Sequence, residues 1–356
     1  MVLPPYNSIT FTDKQNFISA RGRQAANMKK KPTMRDVARL ADVTQPTVSY
    51  VINNTATISD EVRNRVNTAI RKLNYQPNYF ARSLKTNKSN MIGIVIPDIQ
   101  NEFYASIVNE LTKVLQERFC LLIQYTNYDA GFEKKGLQSL IDYNVEAIVF
   151  AYQPAGKTIC SVLRKYGRPV VILEGGTGCS GIPCINTDNF YGGYTAAKYL
   201  LNKGRKQIAY IGQHSHIEAL KERCRGFFEA VKEHDGNNTP AQFETIDPGN
   251  KWDEGVRLGK VLLRHSFDGV VVSSDVIAVG ILKSLLTAGI RVPEDIAVVG
   301  YDDIPLAKLF VPALTTMAQP IKEMCALTVN MILNDLDGES VLNELIKPEL
   351  IVRDTA

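Results

Sequence analysis

From Met91 onward the chain repeats one pattern, a short apolar run followed by a stretch with helical spacing. MIGIVIP, FCLLIQY, EAIVFA and PVVILE form a first series, with helical stretches near 103–118, 131–142 and 156–166 between them. QIAYIG, FETI, GVVVS and IAVVGY form a second, alternating with helices near 189–203, 218–234, 249–264 and 275–288. Such runs read as strands buried on both faces, and parallel strands need a helical crossover to return. The pattern specifies an α/β architecture of parallel sheets flanked by helices, and two successive series specify two similar lobes. LTTM, a helix near 320–334 and a last strand over ELIKPELIV follow, which lets the chain cross between lobes more than once.

The segment ahead of this core has a different period. Residues 33–52 read as two short helices: Thr33 is the N-cap of the first, with Asp36 at the reciprocal capping-box position. Val37, Ala38, Leu40 and Ala41 form its apolar stripe, and the helix breaks at Asp42. Thr44 caps the second, with Pro46 tolerated in the first turn. Val48, Val51 and Ile52 face inward there, while Gln45, Pro46, Ser49, Tyr50 and Asn53 lie on the opposite face. A third helix starts at Ser59, with Asp60 and Glu61 where acids favour the helix dipole. Three short helices with a tight turn between the first two make a helix-turn-helix unit.

Charge separates the same two regions. Residues 28–89 hold twelve Lys and Arg against four acids, whereas residues 90–356 carry a net −6. A basic head on an acidic body points to a head that meets a polyanion. Residues 1–27 show no sustained period and read as a disordered tail, and Met28 is read as the true start. The N-terminus has no secretory pattern and no stretch approaches the ~18 apolar residues of a membrane span, so a cytoplasmic location is expected. The six cysteines form no CxxC pair and are expected to be reduced and mostly buried. No metal and no cofactor is expected: His214, His216, His234 and His265 make no metal spacing with those cysteines, and GxxxxGK[ST] and GxSxG are absent. An enzyme is therefore not expected.

With these residues in view, the chain resembles the lactose-repressor (LacI/GalR) family of bacterial transcription regulators from about residue 32 to its C-terminus. TMRDVARLADVTQPTVSYVIN, ISDEVRNRVNTAIRKLNYQPN and ARSL carry the resemblance in the head. IGIVIPDIQNEFY, DNFYGGYTAAKYLLNKG, RCRGF, VPEDIAVVGYDD and PALTTMAQP carry it in the core. Beside the disordered extension read over 1–27, the resemblance implies a helix-turn-helix domain over 28–76 and a hinge helix and linker over 77–89. It implies a two-lobed, periplasmic-binding-protein-like (type I) core over 90–356.

It also implies a partner, an operator of double-stranded DNA. The second helix of such a unit enters the major groove. By resemblance Gln45, Pro46 and Tyr50 hold the base-reading positions, and Thr44, Thr47, Ser49 and Asn53 support backbone contacts. Thr33 and Asn78 are counted with them. Gln45 can read adenine bidentately, whereas Tyr50 stands where Arg is frequent and Pro46 has no side-chain donor. In the hinge, Leu84 is implied as a minor-groove wedge, with Ala81 at its base and Arg82 and Lys85 near phosphates. Two wedges require two protomers, hence a homodimer on a near-palindromic site. The absence of a long C-terminal heptad favours a dimer over a tetramer.

Ligands of open α/β sheets sit beyond the carboxyl ends of the strands. That criterion selects Asp98, Asn101, Phe103 and Tyr104 after the first core strand, then Arg223, Asp275 and Asp302. Carboxylate and guanidinium forks with aromatic faces suit a sugar. Trp252, in a loop after FETI, stands where the family often has a ring-stacking aromatic, and Asp188 and Asn189 match a motif at the lobe crossover as site or hinge. The expectation is a repressor whose operator affinity is controlled by a small ligand, a sugar. The core alone would also permit a solute-binding protein without sequence-specific DNA binding, against which the basic head and the missing export pattern argue.

Overall fold

The computed structural model describes residues 32–76, 88–115, 118–175, 179–213, 217–234, 241–245, 251–337 and 344–356. The chain divides into two compact units, Met1–Ala81 and Arg82–Ala356.

The first unit contains α1 (Met34–Ala41), α2 (Gln45–Asn53) and α3 (Asp60–Leu73). Local chemistry sets all three lengths. Thr33 Oγ1 accepts from the Asp36 amide and Asp36 Oδ2 accepts from the Thr33 amide, closing the expected capping box. Thr44 and Ser59 cap α2 and α3 with one bond each, their hydroxyl oxygens accepting from the Thr47 and Val62 amides. Asp42, Asn54 and Asn74 each end a helix with a left-handed backbone, a conformation that Asp and Asn tolerate better than most residues. Val37, Val48 and Val66, one per helix, meet in the fully buried centre. Residues 77–87, which hold the candidate hinge helix with Asn78, Ala81, Arg82, Leu84 and Lys85, lie outside the described residues, as do residues 1–31.

The second unit has two six-stranded sheets. Its elements are β1 (Met91–Ile96), α4 (Glu102–Leu115), β2 (Cys120–Tyr125), α5 (Ala130–Asp142), β3 (Ala147–Phe150), α6 (Gly156–Lys165), β4 (Val170–Leu173) and β5 (Cys184–Thr187). Then come α7 (Asn189–Asn202), β6 (Ile208–Gln213), α8 (Glu218–His234), β7 (Ala241–Thr245), α9 (Lys251–Leu262), β8 (Gly269–Val272), α10 (Asp275–Thr287), β9 (Ala297–Asp302) and α11 (Pro305–Leu309). β10 (Thr315–Ala318), α12 (Ile321–Asp337), β11 (Glu344–Ile346) and β12 (Glu349–Ile351) complete the chain. The first sheet runs β11-β5-β4-β3-β1-β2, all parallel; the second runs β12-β10-β9-β8-β6-β7, parallel except for β12 against β10. This is the expected two-lobed α/β core.

Several local expectations are corrected. ELIKPELIV is two strands, not one: β11 pairs with β5 in the first lobe and β12 with β10 in the second. Pro348, which cannot donate to a ladder, sits where the chain changes sheets. β2 is not fully buried, because it ends its sheet and half its side chains face outward. β5 went unread because CINT has no continuous apolar run, and α11 because it is too short for a clear period. Trp252 lies in the first turn of α9, not in a loop. Cys160 and Cys179 form a disulfide and Cys120 is exposed, contrary to the reduced and buried expectation.

The chain passes between lobes three times, at Thr187–Asn189, Ala318–Ile321 and Ile346–Glu349. The passes are tied together: the Asp188 amide donates to Ile346 O (2.7 Å) and Thr187 Oγ1 to Gln319 Oε1 (2.9 Å). Among the described residues no helix is long and apolar enough to cross a membrane.

Candidate functional site

On α2 the residues separate as the helical period requires. Val48 and Val51 are buried, while Gln45 and Pro46 are exposed and Tyr50 is 46% exposed. The polar neighbours are held in place. Thr44 Oγ1 and Thr47 Oγ1 are 2.8 Å apart, and Asn53 Nδ2 donates to Ser49 O (2.8 Å) and Ser49 Oγ (3.2 Å). Thr33 is engaged in its capping box. The outward face of α2 therefore presents two unencumbered side chains of contrasting chemistry, an amide and a phenol, on a rigid support.

In the core, two glycines set the geometry of the most polar cluster. A Cβ on Gly193 would lie 1.9 Å from Arg223 O, and one on Gly226 would lie 2.0 Å from Phe190 O, so α7 and α8 approach to backbone contact. This contact places Arg223, on α8, beside Asn189 at the start of α7. Arg223 is 6% exposed. Its Nε donates to Asn189 Oδ1 (2.7 Å) and its Nη1 to Ser273 O (2.7 Å). Nη1 also lies 3.6 Å from Asp302 Oδ1, and the guanidinium stacks 3.6 Å above the Tyr301 ring. Burial disfavours its charge, but Tyr301, Asp302 and Glu174 more than offset that, and its pKa is raised.

Hydrogen bonds and the Arg223–Asp302 ion pair together form a closed circuit through both lobes. Asp302 Oδ1 accepts from Gln319 Nε2 (2.6 Å), and Gln319 Oε1 accepts from Thr187 Oγ1 (2.9 Å). Glu174 Oε1 accepts from the Thr187 amide and Oε2 from Asn189 Nδ2 (2.8 Å), which leads back to Arg223. Glu174 follows β4 and Asp302 ends β9, so the circuit lies at strand carboxyl ends and runs through two interlobe passes.

The predicted effector residues divide around this circuit. Arg223 and Asp302 are brought together. Tyr104 is half-buried, 3.4 Å from the Tyr128 hydroxyl; burial raises its pKa first, Tyr128 next, and the charge of Asp302 adds to the effect. Asp98 accepts from the Gln100 amide (2.9 Å), and Asn101 is buried and accepts from the Phe103 amide (3.1 Å). Phe103 belongs to the apolar core, edge-on to Tyr104. Asp275 is 0% exposed and does not pair with Arg223. Its Oδ1 accepts from Thr316 Oγ1 (2.6 Å) and its Oδ2 from the Ile304 amide (3.0 Å). Burial, with Asp302 adding to it, holds its pKa well above the usual carboxylate value. Trp252 is 37% exposed. Glu174, Thr187 and Gln319 were missed as circuit members, and Ser273 and Tyr301 as partners of Arg223. The strand-end criterion reaches Glu174 directly, since it closes PVVILE. Among the described residues no cluster of three His, Cys, Asp or Glu could hold a metal.

Comparison with known proteins adds an independent line. Residues 33–78 match bacterial regulatory proteins of the lacI family, and residues 197–356 match a periplasmic binding protein-like domain. The HTH-type transcriptional regulator DegA of Bacillus subtilis is 33% identical over 337 residues, covering 91% of this chain and 97% of that protein. The ribose operon repressor of Escherichia coli K12 is 31% identical over 330 residues, covering 91% and 99%. Among solved structures, the lac repressor dimer bound to operator and the anti-inducer ONPF superposes with a TM-score of 0.80 at 24% identity, covering 92% of this chain and 99% of that one. A LacI family transcriptional regulator from Enterococcus faecium with bound ribose gives 0.66 at 26%, covering 75% and 98%.

Proposed function

The chain belongs to the LacI family of bacterial regulatory proteins and is a helix-turn-helix transcription regulator; from that premise we propose that it is a repressor released from a near-palindromic operator by a sugar bound between the lobes of its core. Gln45, Pro46 and Tyr50 read bases, while Thr33, Thr44, Thr47, Ser49 and Asn53 hold the backbone. Arg223 and Asp302 grip vicinal hydroxyls, Asp98, Asn101, Tyr104 and Trp252 complete the walls, and Phe103 and Asp275 act from behind. The circuit through Arg223, Asp302, Gln319, Thr187, Glu174 and Asn189 carries this reading. A ligand that competes for Arg223 or Asp302 perturbs hydrogen bonds made by the interlobe passes themselves, so occupancy and lobe arrangement are linked.

The relatives named for ribose support a sugar. The protein acts as a homodimer in the cytoplasm, without catalysis. Ile123 and Tyr125 share the outward face of edge strand β2, and Leu309 and Val311 stand exposed beside α11; a second copy of the chain covers such apolar patches.

The test is to mix the purified protein with sheared genomic DNA, recover and sequence bound fragments, then add D-ribose, D-xylose or D-glucose. Enrichment of one near-palindrome, released by one of these sugars, is expected. No enriched sequence at moderate salt would remove the operator reading, and enrichment unaffected by any sugar would remove the effector class.

A further inference from the structure

Two hydrogen bonds outside the circuit also join the lobes, and they share a design. In each, a side chain of the first lobe accepts from a backbone amide in the first turn of a second-lobe helix. Gln153 Oε1 accepts from the Glu218 amide at the start of α8 (3.1 Å), and Glu102 Oε2 from the Leu306 amide at the start of α11 (3.3 Å). First-turn amides have no partner within their own helix. For α11 the residue at the cap position, Ile304, offers no side-chain acceptor. The first lobe thus supplies hydrogen bonds that these second-lobe helix starts need.

Both acceptors stand on rigid supports. Gln153 lies in the turn after β3, pinned on either side. The Tyr152 hydroxyl donates to the buried Glu133 carboxylate (2.5 Å) and touches Thr126 Oγ1 (3.0 Å), and the Ala155 amide donates to the other Glu133 oxygen (2.8 Å). Glu102 opens α4 directly after Asn101, whose side chain holds the Phe103 amide. The helices they cap matter to the cleft: α8 carries Arg223, and α11 begins three residues after Asp302.

We infer that Gln153 and Glu102 are positioning residues for the effector. By capping second-lobe helices from the first lobe, they hold the lobes in the arrangement that turns Arg223 and Asp302 toward Tyr104. The inference rests on the effector reading above, but its structural half can be measured without a ligand. Opening the lobes uncaps α8 and α11, so closure gains the worth of two caps, about fivefold in the equilibrium for each.

The test uses the full chain with Gln153→Met and Glu102→Met, near in length but lacking the acceptor, beside Gln153→Glu and Glu102→Gln, which keep one. Amide hydrogen exchange without ligand is read at Glu218 and Leu306. Each Met variant should exchange faster at its own partner amide, by up to about fivefold, with Tm within a degree or two. D-ribose titration should show Kd raised in each Met variant by the part of the fivefold that exchange does not show, because one closing equilibrium feeds both readouts: the product of the two factors is about five in each single variant and about 25 in the double, since the sites are separate. The acceptor-keeping variants should stay within twofold of wild type. Unchanged exchange at both amides without a raised ribose Kd overturns the inference, as does a ribose Kd that moves only together with Tm. If wild-type protein ignores D-ribose while exchange responds as expected, the lobe-capping role stands and the choice of sugar falls.

Discussion

Replacing Arg223 by Met should destabilise the core by about 3 kcal/mol, because the loss of a buried ion-pair partner costs about 3–5 kcal/mol and the shed desolvation of the guanidinium returns part of it. The structure sets this magnitude. The guanidinium is nearly inaccessible, donates to Asn189 and Ser273, faces the buried Asp302 carboxylate at 3.6 Å and stacks on Tyr301. Met keeps the contact with the ring but offers none of the donors, which leaves the Asp302 carboxylate in a low-dielectric pocket without its counter-charge. Urea unfolding followed by fluorescence should show the midpoint lowered by about 1 M, for a slope of roughly 2–3 kcal/mol per M. Asp302→Asn placed in the Arg223→Met background should recover at least half of the loss, because the stranded charge disappears. A loss under about 1 kcal/mol, or a double variant whose cost is the sum of the singles, would refute the view that Arg223 and Asp302 act as one electrostatic unit.

Other expectations follow from single sites. Gln45→Ala and Tyr50→Ala should each weaken operator binding by about 1–3 kcal/mol and relax base preference, while folding stability changes by less than about 0.5 kcal/mol; competition binding against scrambled sites checks both. Burial raises the Glu133 carboxyl above its ordinary 4.5, with its hydrogen bonds to Tyr152 and Ala155 opposing. The native state therefore binds that proton more tightly than the unfolded chain. Its contribution to stability is fully present below about 4.5 and is lost as pH rises through the raised value, so Glu133→Gln should flatten the stability profile above about pH 4.5, as read by urea unfolding at increasing pH. Alkylation of the denatured, unreduced chain should modify Cys120, Cys184, Cys224 and Cys325 and spare Cys160 and Cys179. Reduction should then lower core stability by about 3 kcal/mol for a loop of this length.

Much of the fold could be read in one dimension. The capping box at Thr33, the Thr44 and Ser59 caps and the break at Asp42 are local chemistry, and the head helices start and stop where those residues stand. The apolar runs from MIGIVIP to IAVVGY hold the strands of both lobes, and the neighbouring helical stretches fall within a few residues of their expected places. β5 escaped because Cys184–Thr187 has no continuous apolar run, and α11 because five residues carry too little period to separate from a loop. Asp275 was grouped with Arg223 because both follow strands. The structure instead gives Asp275 to Thr316 and the Ile304 amide, and gives Arg223 to Asp302, Asn189 and Ser273.

That division has a physical reason. A helix cap, a left-handed stop or a buried strand depends on residues within a few positions of one another, so the sequence by itself determined the helix-turn-helix head, the parallel α/β core and the face of α2 that points outward. The buried polar circuit depends on neighbours far apart in the chain: Thr187 meets Gln319 across 132 positions, and Arg223 meets Ser273 across 50. Which carboxylate faced the guanidinium, where ELIKPELIV divided between the sheets and which lobe capped which helix were decided only when strand order and the backbone contact at Gly193 and Gly226 brought those segments together. Hydrogen bonds act over about 3 Å, and only the tertiary fold puts distant residues within that range.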